Sequence, residues 1–457
     1  MLFRVPRLAD VRELLQLALP VVIVHLGLMA MGVVDTMMVG RVSAEALAGV
    51  ALGNVYYFTV AIFGLGTLAV LDPVVAQAAG AGDHEGVARG IQRGLILSAL
   101  ISVPVTLALW PAPAILDWLG QPPEVVPIAG AYARASIPGT VGMLAFTALK
   151  QGLQALHRTR PIVVTIIVAN LANVLFNWIM IFGHFGFPAL GAVGAAWATS
   201  LTRILLVALL LWLAWPVLHP QLSPLRREAF ASGPLLRMLR LGGPIGIQHQ
   251  LEYGVFAIVG LLMGTLGTIA VAGHQVALNL ASVTFMVPLG ISTAAAVVVG
   301  HAVGRGDPEA TTSSARAALV VAIGFMGSTA MLFLFAPMWL ARLYTDNTEV
   351  LRIASVLIPL AGVFQVFDGI QVTSIGILRG LGDTRGPMIA GLVGYWVLGL
   401  PVSLLLGLRL GGGPAGLWWG LVLGLVIVAG FLLWRVARRL REPLRRVAIE
   451  HPIQVEV

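Results

Sequence analysis

Cysteine is absent from the 457 residues of this chain, and lysine occurs only once, at Lys150. The first absence excludes disulfides, thiolate metal sites and cysteine nucleophiles. The second excludes a Walker A motif, which needs Gly-Lys-Ser/Thr, because Lys150 lies between Leu149 and Gln151. No Ser-His-Asp or zinc-protease motif stands out, and the loops are too short for an appended enzyme domain. The sequence therefore predicts a protein that is not an enzyme and needs no cofactor.

Charge is also scarce, since charged residues make up 11% of the chain, hydrophobic residues 58%, and the mean hydropathy is +0.93. A soluble domain usually carries about 25% charged residues. We therefore predict an all-α, multi-pass membrane protein with a retained first span, each span being long enough to cross roughly 30 Å of hydrocarbon. The twelve predicted spans are 14–39, 48–76, 90–111, 126–150, 161–183, 191–215, 240–264, 268–299, 314–336, 353–378, 387–408 and 414–435.

The formal net charge of +8 comes almost entirely from arginine. A basic excess could indicate nucleic acid binding, but the arginines lie in alternate loops, which indicates the membrane surface instead. They are densest after the last span, at Arg438 and Arg439, and Lys150 counts with Arg158 and Arg160 after the fourth. The positive-inside rule then places both termini in the cytoplasm. We expect the lipid bilayer, and no nucleic acid, as a partner.

The chain repeats itself at a spacing of 224 residues. Pro20 aligns with Pro244, and Asp83 aligns with Asp307 (244 − 20 = 224 and 307 − 83 = 224). Each half holds six predicted spans, so both halves enter the membrane the same way round, as in transporters that rock one half against the other. This organisation predicts a first lobe at 1–215, a cytoplasmic linker at 216–238, a second lobe at 239–440 and a basic cytoplasmic tail at 441–457.

Three carboxylates lie inside predicted spans, at Asp35, Glu252 and Asp368. A charge near the bilayer centre costs at least about 2.5–3.5 kcal/mol, so such residues are rare and usually functional. Each acid aligns with an apolar residue in the other half, which indicates a shared scaffold with specialised charge. The repeat-related residues are Val259, Leu28 and Leu144. The alternative is a set of buried acids that neighbouring donors satisfy.

Glu252 and Asp368 belong to the same half and could share one site. Two neighbouring acids do not both stay charged cheaply, so such a pair would hold a proton or a monovalent cation. The alternative gives each acid its own partner. A fourth acid, Asp72, precedes Pro73, where it could cap the helix break, act in gating or bind an ion.

Other polar and aromatic residues extend this pattern. Asn173 and Asn177 are four residues apart and share a helix face, which suits either helix–helix hydrogen bonds or the surroundings of a nearby acid. Thr199 is a weaker candidate, because a membrane threonine more often bonds to its own backbone. Aromatic side chains could line a cavity for flat or cationic ligands, although packing alone would also explain them. The cavity candidates are Tyr57, Phe256, Phe285 and Phe364.

Two long segments carry a family resemblance, MGVVDTMMVGRVSAEALAGVALGN around Asp35 and FQVFDGIQVTSIGILRGLGDTRGP around Asp368. Over nearly its whole length the chain resembles the multidrug and toxic compound extrusion (MATE) transporters, in their NorM-like branch. The resemblance implies twelve helices in two parallel six-helix lobes around a central cavity. It also implies cation-coupled export of organic, often cationic, compounds.

The resemblance also implies roles for individual residues. Asp35 matches the first-lobe cation acid, and Glu252 and Asp368 match the second-lobe acids. Polar positions around the first acid match Asn173, Asn177 and Thr199. Some sodium-coupled members carry a tyrosine at the position of Phe364, and its absence here favours protons over sodium as the coupling ion.

These observations predict a monomeric antiporter in the inner membrane of a bacterium, which exports organic cations in exchange for H+ or Na+. One alternative is a flippase for lipid-linked or polysaccharide precursors, which would need a basic cavity for phosphate groups. The other alternative is a channel, against which the paired repeat and the absence of a filter-like segment argue.

Overall fold

The computed structural model describes residues 6–450, and within that range the chain forms helices and turns without a strand. The predicted all-α class is therefore confirmed. The helices are α1 (Leu8–Val39), α2 (Ala44–Leu68), α3 (Leu71–Gly80), α4 (His84–Leu109), α5 (Ala112–Trp118), α6 (Val126–Ala135), α7 (Ile137–Ala155), α8 (Arg160–Phe182), α9 (Gly191–Leu213), α10 (Trp215–Leu222), α11 (Ser232–Thr265), α12 (Thr268–Arg305), α13 (Pro308–Phe335), α14 (Pro337–Arg342), α15 (Thr348–Gly380), α16 (Arg385–Gly391), α17 (Leu400–Leu404) and α18 (Gly413–Arg439). Two π-helical stretches, Leu392–Gly399 and Leu405–Arg409, flank α17, and a short 3-10 turn occupies Arg227–Phe230.

Eleven helical segments between residues 6 and 450 are long and apolar enough to cross a membrane. The twelfth predicted span, 126–150, is present as α6 and α7, which break at Ser136. Pro138 lies in the first turn of α7, and proline has no backbone N–H with which to continue the hydrogen-bond ladder of α6. The twelve-helix prediction is thus confirmed, with one span in two pieces.

Large apolar side chains remain exposed along these helices, as a lipid-facing surface requires. Examples are Leu107, Leu171, Leu261, Met331 and Phe335. The chain is therefore a multi-pass membrane protein.

The helices form two compact units, which divide within α1 and α11, two residues after Pro20 and Pro244. We call the unit of Ile23–Gly246, with residues 448–450, the first-half unit. The second-half unit is Ile247–Val447, with residues 6–22. The cytoplasmic linker at 216–238 stays a prediction; the structure forms α10, the 3-10 turn and the start of α11 there.

The first-half unit packs α8 against α9 and α4 against α7. It also binds the end of the described chain, because Arg93 on α4 donates to both carboxylate oxygens of Glu450, at 2.8 and 3.2 Å. The Arg93 side chain is only 2% exposed. Arg89 donates to the same carboxylate at 2.9 Å, and Arg237 on α11 donates to the Glu450 carbonyl oxygen at 2.9 Å. We call Arg89, Arg93 and Arg237 the arginine cluster.

The second-half unit is built on α12 and α15, which pack against each other along much of their length. Ser292 on α12 donates to the Val372 carbonyl oxygen on α15 at 2.6 Å. Gly376, one turn further along α15, has no side chain to separate the two backbones. A methyl group there would overlap the Ser292 carbonyl oxygen. Close helix contact therefore depends on this glycine.

Replacing Gly376 with alanine is expected to destabilise the protein by about 1–3 kcal/mol, because the new methyl group overpacks a backbone contact. The matched control is Gly324→Ala on α13, where an added Cβ meets nothing within 4 Å. Alanine has the higher helix propensity, so this control is expected to leave the melting temperature in detergent unchanged or slightly raised. Equal melting temperatures for the two variants would contradict the packing argument.

Candidate functional site

The first-half unit surrounds Asp35 with neutral hydrogen-bond donors. Asn177 on α8 donates from Nδ2 to Asp35 Oδ1 at 2.6 Å, and Thr199 on α9 donates from Oγ1 to Asp35 Oδ2 at 2.5 Å. Asn177 also donates to Asn173 Oδ1 at 3.1 Å, as expected for residues one helical turn apart. Asp35 is 5% exposed, and both asparagines are fully buried. The structure thus brings together the acid and the three polar residues that the resemblance implied.

A permanent positive charge lies in the same unit. The Arg203 guanidinium on α9 sits over the Tyr57 ring, with its carbon 4.4 Å from the ring centroid. Arg203 interacts electrostatically with Asp35, and Tyr132 on α6 interacts with both. Tyr57, one of the predicted cavity residues, is only 2% exposed. Its ring faces Arg203 in this structure.

The second-half unit holds Glu252 in a different network. Gln248, one turn earlier on α11, donates to Glu252 Oε1 at 3.3 Å, and Gln371 on α15 donates to the same oxygen. The Tyr395 hydroxyl donates in turn to Gln371 Oε1. Tyr395 lies on the π-helical stretch Leu392–Gly399, a wide helical turn of a kind found often at functional sites. Three helical segments therefore contribute side chains to the network around Glu252.

Asp368 lies beside this network. It lies on α15 three residues before Gln371, and it interacts electrostatically with Glu252 on α11. Both acids are half-buried. The two acids predicted to form a pair are thus neighbours on adjacent helices, whereas Asp35 belongs to the other unit. Their role in cation coupling stays a prediction.

The remaining aromatic candidates lie in the second-half unit. The Phe364 ring packs edge-on against both Phe256 and Trp418, with centroids 6.0 Å apart in each pair. The Trp418 indole donates to His274 Nδ1 at 3.1 Å. Phe364 is buried and Phe256 half-buried, and Phe285 lies half-buried on α12. Phe364 therefore packs within an aromatic group.

Asp72 lies on α3 and is fully buried. It interacts electrostatically with Lys150 on α7. Lys150 is 8% exposed, so it lies inside the helix packing and does not belong with the loop charges that set the predicted orientation. The role of Asp72, whether structural, gating or ion-binding, stays a prediction.

Sequence reasoning assigned no role to Gln248, Gln371, Tyr395 or Arg203. The two glutamines did carry a signal, because one lies a turn before Glu252 and the other nearly a turn after Asp368. Tyr395 carried none, because its direction depends on a π-helical backbone.

A family model, MatE, matches residues 20–179 and again residues 244–405. The two matches begin 224 residues apart (244 − 20 = 224), which is the spacing of the internal repeat. One model therefore describes both halves of the chain, and the predicted duplication is confirmed.

Similar proteins extend over nearly the whole chain. Multidrug resistance protein MdtK of Klebsiella pneumoniae is 38% identical over 95% of this chain and 96% of that protein. A probable multidrug resistance protein NorM of Mesorhizobium japonicum is 37% identical over 94% of each. Among solved structures, the eukaryotic MATE transporter AtDTX14 has a TM-score of 0.89 at 23% identity, over 96% of this chain and 99% of that one. At this identity the structural likeness shows the fold alone.

Proposed function

This chain belongs to the MATE family of multidrug efflux transporters, and from that premise we propose that it exports organic cations in exchange for protons or sodium ions. The observation that carries the proposal is the pair of separate carboxylate networks, one around Asp35 and one around Glu252 and Asp368. Ionised acids in a membrane attract cationic ligands, and an ion bound to them cancels that attraction. Occupancy by the coupling ion and by the exported compound then oppose each other.

The hydrogen bonds at Asp35 are suited to such competition. Both of its oxygens accept from neutral donors, Asn177 and Thr199, and this arrangement stabilises the ionised carboxylate against burial. A proton that binds Asp35 must displace at least one of these hydrogen bonds. Because the hydrogen bonds form again when the proton leaves, its binding is reversible. The pair of Glu252 and Asp368 provides a different site, where one proton or one sodium ion relieves the repulsion between two acids.

Alternating access follows from these sites by population shift. An ion moves the equilibrium between inward-open and outward-open states only by its difference in affinity for the two. A shift from 1:99 to 99:1 needs about 5.5 kcal/mol of such difference, which two separate sites supply more readily than one. In this proposal the inward ion gradient provides the driving force.

The setting belongs to the same proposal. The relatives come from bacteria, and we place the chain in the bacterial inner membrane as a monomer with both termini in the cytoplasm. Its partners are then organic cations and the bilayer, and it needs only the coupling ion.

Transport into proteoliposomes tests the function. A fluorescent organic cation such as ethidium is supplied outside, with a proton gradient alone, a sodium gradient alone, or neither. We expect at least one gradient to drive uptake against the dye concentration, and a variant with Asp35→Asn, Glu252→Gln and Asp368→Asn to show none. Flipping of a pyrophosphate-bearing lipid without dye uptake would favour the flippase, and conductance above transporter turnover in a planar bilayer would favour the channel.

A further inference from the structure

Arg203 lies beside the Asp35 site, and the proposed competition between ions and exported compounds does not use it. It is 9% exposed, and its Nη1 has no hydrogen-bond partner among residues 6–450. Arginine stays protonated in proteins, so this is a fixed buried charge. Arg203 follows Thr199 by one helical turn on α9 and shares its face. Such a residue is costly to keep unless another charge balances it.

The balancing charge is Asp35. The charged and titratable groups around Asp35 are Arg203 from α9, Tyr57 from α2 and Tyr132 from α6. Helix α8 contributes the amides of Asn173 and Asn177. Asp35 is the one acid among them. Its oxygens are hydrogen-bonded to Asn177 and Thr199, and the guanidinium stacks on Tyr57. Charge balance therefore acts through space, without a direct ion pair.

We infer that Arg203 is the fixed counter-charge of Asp35 and that it makes the first-half site a proton site from which sodium is excluded. The inference rests on the proposed function for its purpose in transport. Arg203 is a positioning residue here, since it acts through Asp35.

The reason lies in how each ion binds. With Asp35 ionised, the carboxylate and the guanidinium sum to zero, so no net negative charge remains for sodium to neutralise. A sodium ion would add an unbalanced charge to a buried site, next to a guanidinium that repels it. A proton forms a covalent O–H bond and removes the carboxylate charge, and Arg203 then rests on the Tyr57 ring through a cation–π contact.

The same charge keeps proton binding reversible. Burial alone would favour the protonated acid, and a neighbouring positive charge favours the carboxylate. Without Arg203, Asp35 would hold its proton to higher pH and release it less readily toward the cytoplasm. The second-half pair also has a buried arginine, because Arg379 acts on Glu252, but its two acids leave one negative charge uncompensated, which a single proton or sodium ion can neutralise.

Infrared difference spectroscopy of the purified full chain tests the inference without requiring transport. The carbonyl band of the protonated Asp35 side chain is identified by its loss in Asp35→Asn, and its intensity is followed against pH. In Arg203→Gln we expect the midpoint to move to higher pH by about 1 unit or more, the size of effect that a nearby opposite charge has on a carboxyl group. Arg203→Lys keeps the charge and should keep the midpoint close to that of the unmodified chain.

A sodium titration needs no variant. Replacing choline chloride by sodium chloride at constant ionic strength should leave the band midpoint of the unmodified chain unchanged. A sodium-dependent shift, or an unshifted midpoint in folded Arg203→Gln, would overturn the inference. These results are independent of the proteoliposome assay, so loss of gradient-driven uptake there would refute the proposed function and leave the counter-charge standing.

Discussion

Asp35→Asn is expected to lower the rate of gradient-driven export to below about one tenth of the unmodified rate. A loss of about 1.4 kcal/mol in the coupling free energy corresponds to a tenfold change. The substitution keeps the shape of the side chain and removes its proton. Asparagine keeps one of the two acceptor oxygens, so only one of the hydrogen bonds from Asn177 and Thr199 retains its acceptor. The affinity for the exported compound should fall less than the rate of transport. The measurement is initial efflux in proteoliposomes, with amounts matched by gel filtration.

The controls separate coupling from packing. Thr199→Val removes one donor to Asp35 but leaves its charge, so export should fall much less than in Asp35→Asn. In the other unit, Glu252→Gln and Asp368→Asn remove one acid of the pair and should each reduce coupling. Full export by Asp35→Asn, Glu252→Gln and Asp368→Asn, each tested singly, would end the coupling hypothesis.

Removing the carboxylate of Glu450 is expected to lower the stability of the first-half unit markedly. Glu450 neutralises Arg93, whose side chain is 2% exposed, and breaking a buried pair typically costs about 3–5 kcal/mol. Because Glu450 itself is about one third exposed, we expect about 1–3 kcal/mol for Glu450→Gln. For a unit of this size, each kcal/mol lowers the melting temperature by about 2–4 °C.

The pH dependence has a definite sign. Partial burial raises the pKa of the Glu450 carboxyl, but the hydrogen bonds and charge of Arg93, together with the charge of Arg89, outweigh it and lower the pKa overall. A lowered pKa stabilises the fold above the ordinary glutamate range, and this contribution is lost as pH falls through the folded-state value. The gap between Glu450→Gln and the unmodified chain should therefore narrow in acid.

Glu442→Gln is the matched control, because Glu442 is about as exposed as Glu450 but pairs with Arg438 and Arg439, whose side chains are 64% and 36% exposed against 2% for Arg93. Its melting temperature should stay close to that of the unmodified chain. Thermal unfolding in detergent, followed by tryptophan fluorescence, measures both variants. Equal melting temperatures for Glu450→Gln and Glu442→Gln would show that the arginine cluster does not depend on the Glu450 carboxylate.

Prediction from the sequence worked best where a polar residue lies in an otherwise apolar helix. Asp35, Asn173 and Asn177 are polar residues in apolar helices, and a spacing of four put the two amides on one face. Their convergence on one carboxylate follows from the packing of α8 and α9 against α1, which hydropathy cannot supply. The duplication was visible because glycines, prolines and turn residues recur at one offset.

Contacts between residues far apart in the chain produce no such pattern in the sequence. Arg93 and Glu450 are 357 residues apart, and a glutamate in a basic tail gives no sign that it is bound. Tyr395 reaches Gln371 only because the backbone widens into a π-helix at Leu392–Gly399. Phe364 was predicted to line a cavity, but its neighbours Phe256 and Trp418 are known only from the fold.

The two carboxylate networks lie in the two halves of the internal repeat, and no acid of one aligns with an acid of the other. Asp35 is set among amides, a threonine and a guanidinium, while Glu252 is set among glutamines, a tyrosine and a second acid. Duplication therefore released each copy to lose what the other retained. A chain assembled from two first halves would carry two acids matched by two arginines, and one assembled from two second halves would carry four acids against two arginines of the Arg379 kind. Inheritance has made the halves complementary, so neither can replace the other.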